Sequence, residues 1–460
     1  MTDAQAQISP PMARLSAHMA AAATAALADS VAAKTKHHIL DTLAAMVSGT
    51  RLKPGRLATA YVAAQGGNEE AQVPGTGILT TARLASLAGG MCAHADETDD
   101  SHPVAFFHPG CAVVPAALAM AERAGASGLK LINAVALGYD VGARINLALE
   151  VERFYGENNF STHSFGALFG AAAAAAALAG LNAQQCRWML SFTAQQASGL
   201  GCWARDTEHV EKAFDFGGMG AEHGVAAATM VEAGMTGLDD VFSGPRNFFA
   251  AFGGTPERLA QDLGQVFEVM NADIKKWSVG SPCQALLDAL EVLMAEHGLR
   301  PGAVTKMEAR VPAVEAHVVD NREMPDICLQ HLLALLLIDG GLSFENTHDY
   351  ARMIDPEVRA LREKIVLVPD PSLARRAGAL TVERAEGGPL GHEVTHVRGT
   401  AANPMTEGEV AAKAADLMEP VLGAARAGDL IGRILALEAV DDCRELRPLL
   451  TANPGKAQIP

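Results

Sequence analysis

Up to about residue 265, apolar positions recur at helical spacing with almost no strand-like alternation. In "SVAAKTKHHILDTLAAMVSG" (30–49), Val31, Ile39, Leu40, Leu43 and Met46 lie largely on one face, and the run stops at Gly49. The same spacing predicts helices over 81–98, 111–125, 128–149, 164–180, 183–199 and 218–234. Their buried faces are mostly Ala and Gly, so the helices must approach one another closely. From about 270 the pattern changes. "TKMEARVP" (305–312), "KIVLVPD" (364–370), "GALTVERA" (378–385) and "HEVTHVRG" (392–399) are short β-type segments bounded by Pro or Gly. Helical stretches over 282–297 and 327–339 lie between them. "NPMTEGEVAAKAADLME" (403–419) returns to helix, with Thr406 and Glu409 at capping-box spacing. The expected fold is mostly α: a discontinuous all-helical domain, 1–268 plus 402–460, with a smaller α+β lid domain inserted over 269–401.

Composition narrows the function classes. A hydrophobic share of 49% with 19% charged residues describes a folded globular chain. Its 5% aromatic content suits helices packed through small residues. A net charge of −17 argues against nucleic acid as a partner, because phosphate binding needs a basic face. A small anion is not excluded, since a few focused lysines can make a local positive pocket. The seven cysteines are spread out with no CxxC pair, so a zinc ribbon or disulfide framework is not expected and a reducing cytoplasm is. "MTDAQAQISPP" lacks the basic and apolar parts of a secretion signal. "FGALFGAAAAAAALAGL" (165–181) is short for a membrane span and too poor in large apolar residues, so no membrane partner is expected.

The densest chemistry lies in "HADETDDSHPVAFFHP" (94–109), with three histidines and four carboxylates. On a helix, Glu97 and Ser101 would lie four apart, as would Asp96 and Asp100, while Asp99 and His102 would lie three apart. Neither the EF-hand loop nor HExxH is present, and no metal is expected. Three further candidates share a placement. His108 precedes a predicted helix, His163 sits in the first turn of another, and Lys212 stands just ahead of a glycine-rich third. Helix starts present unpaired N–H groups and a positive dipole end, so several converging can hold a di- or tricarboxylate. Lys275 and Lys276, beside Trp277 and a Gly–Ser–Pro turn, offer a further positive wall. No GxSxG, GxGxxG or Walker pattern occurs, and no cofactor is expected.

Taken in order, these segments resemble the MmgE/PrpD family. They are "HADETDDSHPVAFFHPG", "GYDVGARI", "FSTHSFGALFGAAAAAAALAGL", "EKAFDFGGMGAEHG", "IKKWSVGSP", "LLIDGG" and "GTAANPMT". The resemblance spans the chain. It implies an all-helical domain with an inserted α+β lid, usually as a homodimer, and activity as a dehydratase, decarboxylase or epimerase of small polycarboxylates. Carried over by position, the family's active-site aspartate falls on Glu97 and its threonine on Ser101. Its two histidines fall on His108 and His163, and its two lysines on Lys212 and Lys275. A family tyrosine falls on His331, and "VEKAFDFGG" lacks the family's proline and histidine after the lysine.

The expectation is therefore a cofactor-independent lyase that moves a proton at a carbon flanked by carboxylates, with dehydration favoured. Epimerisation of the iminodisuccinate type and decarboxylation of the cis-aconitate type are the alternatives. In this reading His108, His163, Lys212, Lys275 and Glu97 carry the catalysis, while Ser101, Lys276, Asp100 and His331 bind substrate. One general base supplies about 3–5 kcal/mol, so fixed positive charge must stabilise the developing enolate. Two other classes compete: a metallohydrolase on Asp96, Asp99 and His102, and a carboxylate-binding protein without turnover.

Overall fold

Alanine and glycine faces let helices come close enough for backbone to touch backbone. A Cβ added to Gly138 would lie 2.9 Å from the Gly170 carbonyl oxygen, and one added to Gly170 would lie 2.7 Å from the Gly138 oxygen. The computed structural model describes residues 8–452 and resolves the chain into two compact units. The first takes the chain up to Ala95, then Asp99–Ala272, then Met418 onward. The second takes Asp96–Thr98 and Asp273–Leu417.

The first unit is helical apart from a two-residue antiparallel pair, Ala71–Gln72 with Leu79–Thr80. Its centre is the Thr162–Leu178 helix, every residue of which is buried. Helices Gly110–Ala124, Gly128–Leu149 and Met219–Glu232 pack around it. At this closeness a methyl group decides the spacing: a Cβ on Gly224 would lie 2.6 Å from the Ala172 nitrogen. Among the described residues no helix is long and apolar enough to cross a membrane.

The second unit has one four-stranded sheet in the order 365–370, 304–312, 378–384, 390–394. The first two strands are parallel and the other neighbours antiparallel. Helices Gln284–His297 and Leu329–Asp339 bring Leu286, Leu290, Leu332 and Leu336 to a core shared with Met307 and Leu380 of the strands. The fold is thus mostly α with a smaller α+β part. The anticipated capping box forms: Thr406 N donates to Glu409 at 2.8 Å, and Glu409 N to the Thr406 hydroxyl at 3.3 Å. That helix runs Glu407–Leu422, and its residues up to Leu417 cluster with the second unit.

Two elements differ from expectation. The predicted 81–98 helix ends at Ala93. Beyond it, the Asp96 carboxylate takes the Thr98 N–H and hydroxyl at 2.9 and 2.8 Å, a local turn that competes with the helix ladder. The i, i+4 pairings expected of Glu97 with Ser101 and of Asp96 with Asp100 therefore do not arise. The last strand covers Leu390–Val394, and the chain then turns at Gly399, whose φ is +101°.

Candidate active site

The helix Ala82–Ala93 delivers His94 at its C-terminal end. The segment then returns to the first unit at Asp99 and leads to His108 before the Gly110–Ala124 helix. Asp99, fully buried, lies between two imidazoles: 3.0 Å from His94 Nδ1 and 3.2 Å from His108 Nδ1. Burial would push this acid up, but the charge and hydrogen bonds of His94 and His108 hold it well below the usual carboxylate range. An ionised carboxylate can only accept, so both Nδ1 atoms carry protons. Nδ1 of His108 is thereby turned toward Asp99, the orientation a carboxylate–histidine dyad imposes.

Phe216 organises the rest. Its ring stacks on His163 at 3.8 Å between centroids and on His94 at 4.3 Å. His108 lies 5.5 Å from His163 and 5.3 Å from Phe216. Trp203 meets His163 edge-on at 5.4 Å. The Lys212 ammonium sits over the faces of Phe216 and Trp203 at 5.2 and 5.6 Å. Burial, then the charges of His108, His94 and Lys212, pushes His163 well below its ordinary value, so its ring is neutral at neutral pH. Its Nδ1 is buried with no hydrogen-bond partner among the described residues. Three sequence-predicted residues, His108, His163 and Lys212, thus come together in the first unit with His94 and Asp99.

Phe216 reaches the stack because residues Phe214–Gly218 form a single π turn between the helices Val210–Ala213 and Met219–Glu232. Such turns are frequent at functional sites. Close glycine contact fixes its seat: a Cβ on Gly90 would lie 2.6 Å from the Gly217 carbonyl carbon.

The neighbouring Asp100 plays a different part from the substrate contact expected of it. It accepts from His38 Nδ1 at 2.6 Å, Tyr139 hydroxyl at 2.5 Å and Gly110 N at 2.9 Å. With both oxygens committed and the residue fully buried, it is a hub of the helix framework. Ser101, 8% exposed, follows it in the same segment. His102 is held by Glu268 at 3.1 Å and receives the Ala105 N–H at 3.0 Å.

Lys275 and Glu97 belong to the second unit. The buried Lys275 ammonium donates to the Glu97 main-chain carbonyl at 2.6 Å. Lys413 makes the same contact to the Thr98 carbonyl at 3.0 Å, and His348 Nε2 lies 2.9 Å from the Asp96 carboxylate. Lys276 turns elsewhere, paired with Glu291 and lying over the Trp277 ring at 4.4 Å. His331, expected to bind substrate, lies in the core of the second unit. It is fully buried in the leucine-rich 329–339 helix, neither ring nitrogen finds a partner among the described residues, and burial pushes it down to about 4.

The metal set weighed for a hydrolase does not form a ligand group among the described residues. Asp96 is engaged by Thr98 and His348, Asp99 by two histidines, and His102 by Glu268. One trio, His94, Asp99 and Cys111, does bring ligand-type atoms within 4.8 Å. Its atoms already bond one another or the backbone: His94 Nδ1 donates to Asp99, and the Cys111 thiol to the His108 and Phe216 carbonyls. A metal would have to displace these protons.

Sequence reasoning missed Asp99 as the central carboxylate, and His94, Phe216 and Trp203 altogether. Separations of five and nine residues from Asp99 to its histidines match no regular period, so only the density of acids and imidazoles pointed there.

The fold and this constellation define a mostly helical protein with a buried histidine–carboxylate cluster. Two family domains account for most of the chain: the MmgE/PrpD N-terminal domain matches residues 13–259, and the MmgE/PrpD C-terminal domain matches 277–437. The chain belongs to the MmgE/PrpD family. It is 25% identical over 450 residues to human cis-aconitate decarboxylase, covering 92% of this chain and 91% of that protein. It is also 25% identical over 411 residues to the cis-aconitate decarboxylase-like protein oryM of Aspergillus oryzae, covering 81% and 83% respectively.

Proposed function

We propose that this protein is a cofactor-independent lyase that makes or quenches a carbanion next to a carboxylate of a small di- or tricarboxylate. The carrying observation is the Asp99 carboxylate shared by His94 and His108, with neutral His163 and cationic Lys212 around one phenylalanine ring. In this reading His108, oriented by Asp99, and His163 move the proton. Lys212 supplies the fixed positive charge that a developing enolate needs, in a site where desolvation makes that charge effective. Lys275 holds the Glu97 carbonyl, and Ser101 hydrogen-bonds a substrate oxygen.

Dehydration and decarboxylation differ only in the group that leaves the same electron-rich carbon. Dehydration of a 2-methylcitrate-like substrate is the first reading, chosen because it is the reaction most frequent in the family. The names of two relatives support decarboxylation of cis-aconitate as the second reading. A cytoplasmic homodimer completes the proposal.

The test is incubation in D₂O with cis-aconitate, 2-methylcitrate and related di- and tricarboxylates, followed by NMR. Deuterium entering at one carbon, with loss of water or CO₂, is the expected result. His108→Ala and Lys212→Ala should each lower turnover by about 10²–10⁴-fold. Full turnover in either variant would overturn the assigned roles. Ligand-induced stabilisation without turnover across the panel would instead favour a binding protein.

A further inference from the structure

The π turn raises a question that the proton-transfer groups leave open: what fixes Phe216 relative to the helix that carries His163. Two residues before His163, Ser161 caps that helix, its hydroxyl accepting the Ser164 N–H at 3.4 Å. The same hydroxyl donates to the Asp215 carboxylate at 2.5 Å, and Asp215 directly precedes Phe216 in the π turn. Asp215 is 6% exposed.

A third segment closes over this pair. Ser161 N donates to the Gly199 carbonyl at 3.1 Å, and residues Phe160 and Leu200 form an isolated bridge. Gly199, with φ +133°, has no room for a side chain. A Cβ there would lie 1.8 Å from the Ser164 hydroxyl and 3.1 Å from an Asp215 oxygen. Directly after it, the turn Gly201–Arg205 presents Trp203, which contacts His163 and Phe216. Three separate segments supplying His163, Phe216 and Trp203 therefore meet at one buried carboxyl group. The carboxylate touches none of the proposed reacting groups, so it acts through its neighbours.

We propose that Asp215 is a positioning residue for His163. Its bond from Ser161 ties the π turn to the first turn of the histidine's helix and fixes the His94–Phe216–His163 stack. The charged group facing Asp215 is Glu211, one turn earlier. Burial, opposed by the Ser161 hydrogen bond, pushes the acid up to about 7, which suits a group held in a dry joint.

Its consequence for turnover rests on the proposed role of His163, but the geometry can be tested without substrate. Histidine ring signals in ¹H–¹⁵N NMR, with His163 assigned by its loss in His163→Gln, report the stack directly. In Asp215→Ala and in Ser161→Ala the His163 ring signals should move. In the double variant they should move no further than in the larger single, because one contact is lost in all three. Asp215→Asn, which keeps an acceptor for the Ser161 hydroxyl, should stay near wild type. If Asp215→Ala does not fold, the comparison of Asp215→Asn with Ser161→Ala still decides. Unmoved His163 signals in Ser161→Ala and in whichever Asp215 variant folds, or additive movements in the double variant, would overturn the inference. If the protein turns over a polycarboxylate, kcat should fall about tenfold to a hundredfold in Asp215→Ala and recover in Asp215→Asn. A protein inactive on the whole panel, but with ring signals behaving as stated, would sink the reaction and leave the positioning intact.

Discussion

Asp99 and Asp100 are adjacent, fully buried and both held below the ordinary carboxylate range, yet their surroundings separate their work. Asp99 faces two imidazoles of the site, while Asp100 accepts from three donors of the framework. Asp99→Asn should lower kcat by about 10²–10⁴-fold through loss of the oriented tautomer, and it should also lower the denaturant midpoint at neutral pH, because the ionised carboxylate stabilises the fold there. Asp100→Ala should act mainly on stability. It leaves His38, Tyr139 and Gly110 N without their acceptor, at a cost of about 3–5 kcal/mol in chemical unfolding. Asp215 carries a pH signature. Its acid is raised by burial, so the folded state binds a proton that the unfolded state has released between about pH 4 and about pH 7. Stability from this group is full below the unfolded value and lost as pH rises through the folded one. Asp215→Asn should therefore gain about 2–4 kcal/mol relative to wild type at pH 8 over its value at pH 4, measured by urea unfolding. A pH-independent difference would contradict this.

At the scale of elements, backbone approach sets the helical spacing. The Gly138–Gly170 crossing leaves no space for a methyl group in either direction. Gly170→Val should lower stability by about 3 kcal/mol or more through overpacking, detected as a fall in Tm with no gain at any pH. In the second unit, the half-buried His348 pairs with the buried Asp96. Burial would lower His348, but Asp96 and Asp326 raise it to about 9. A raised histidine contributes stability that is full below about pH 6.5 and lost as pH climbs through about 9. The wild-type Tm should thus fall between pH 7 and pH 9.5, and His348→Gln should flatten that slope. Most of these elements were legible beforehand. The 128–149 helix was located to the residue, because its apolar stripe is long and flanked by Ser127 and Glu150. The 81–98 helix was overextended, since no periodicity announces that Asp96 will turn on its own backbone.

For the whole molecule, a net charge of −17 would have to coexist with the anionic substrate proposed. Lys212, over two aromatic faces among buried histidines, focuses positive charge locally against that background. The two units have separate apolar cores, so calorimetry should record more unfolding heat than a single two-state transition accounts for. His348→Gln should move one component only; a single sharp transition moving as a whole would argue against independent cores.

Hydrophobic period, composition and motif order by themselves determined the mostly helical architecture, the small-residue contacts, the α+β part and the family, because these depend on patterns read along the chain. They also brought forward His108, His163 and Lys212. Tertiary structure alone decided which carboxylate serves the histidines, that Phe216 stands between two of them, and that His331 is sealed in a core. Those outcomes depend on which side chains meet across segments tens of residues apart, where no local spacing constrains the pairing.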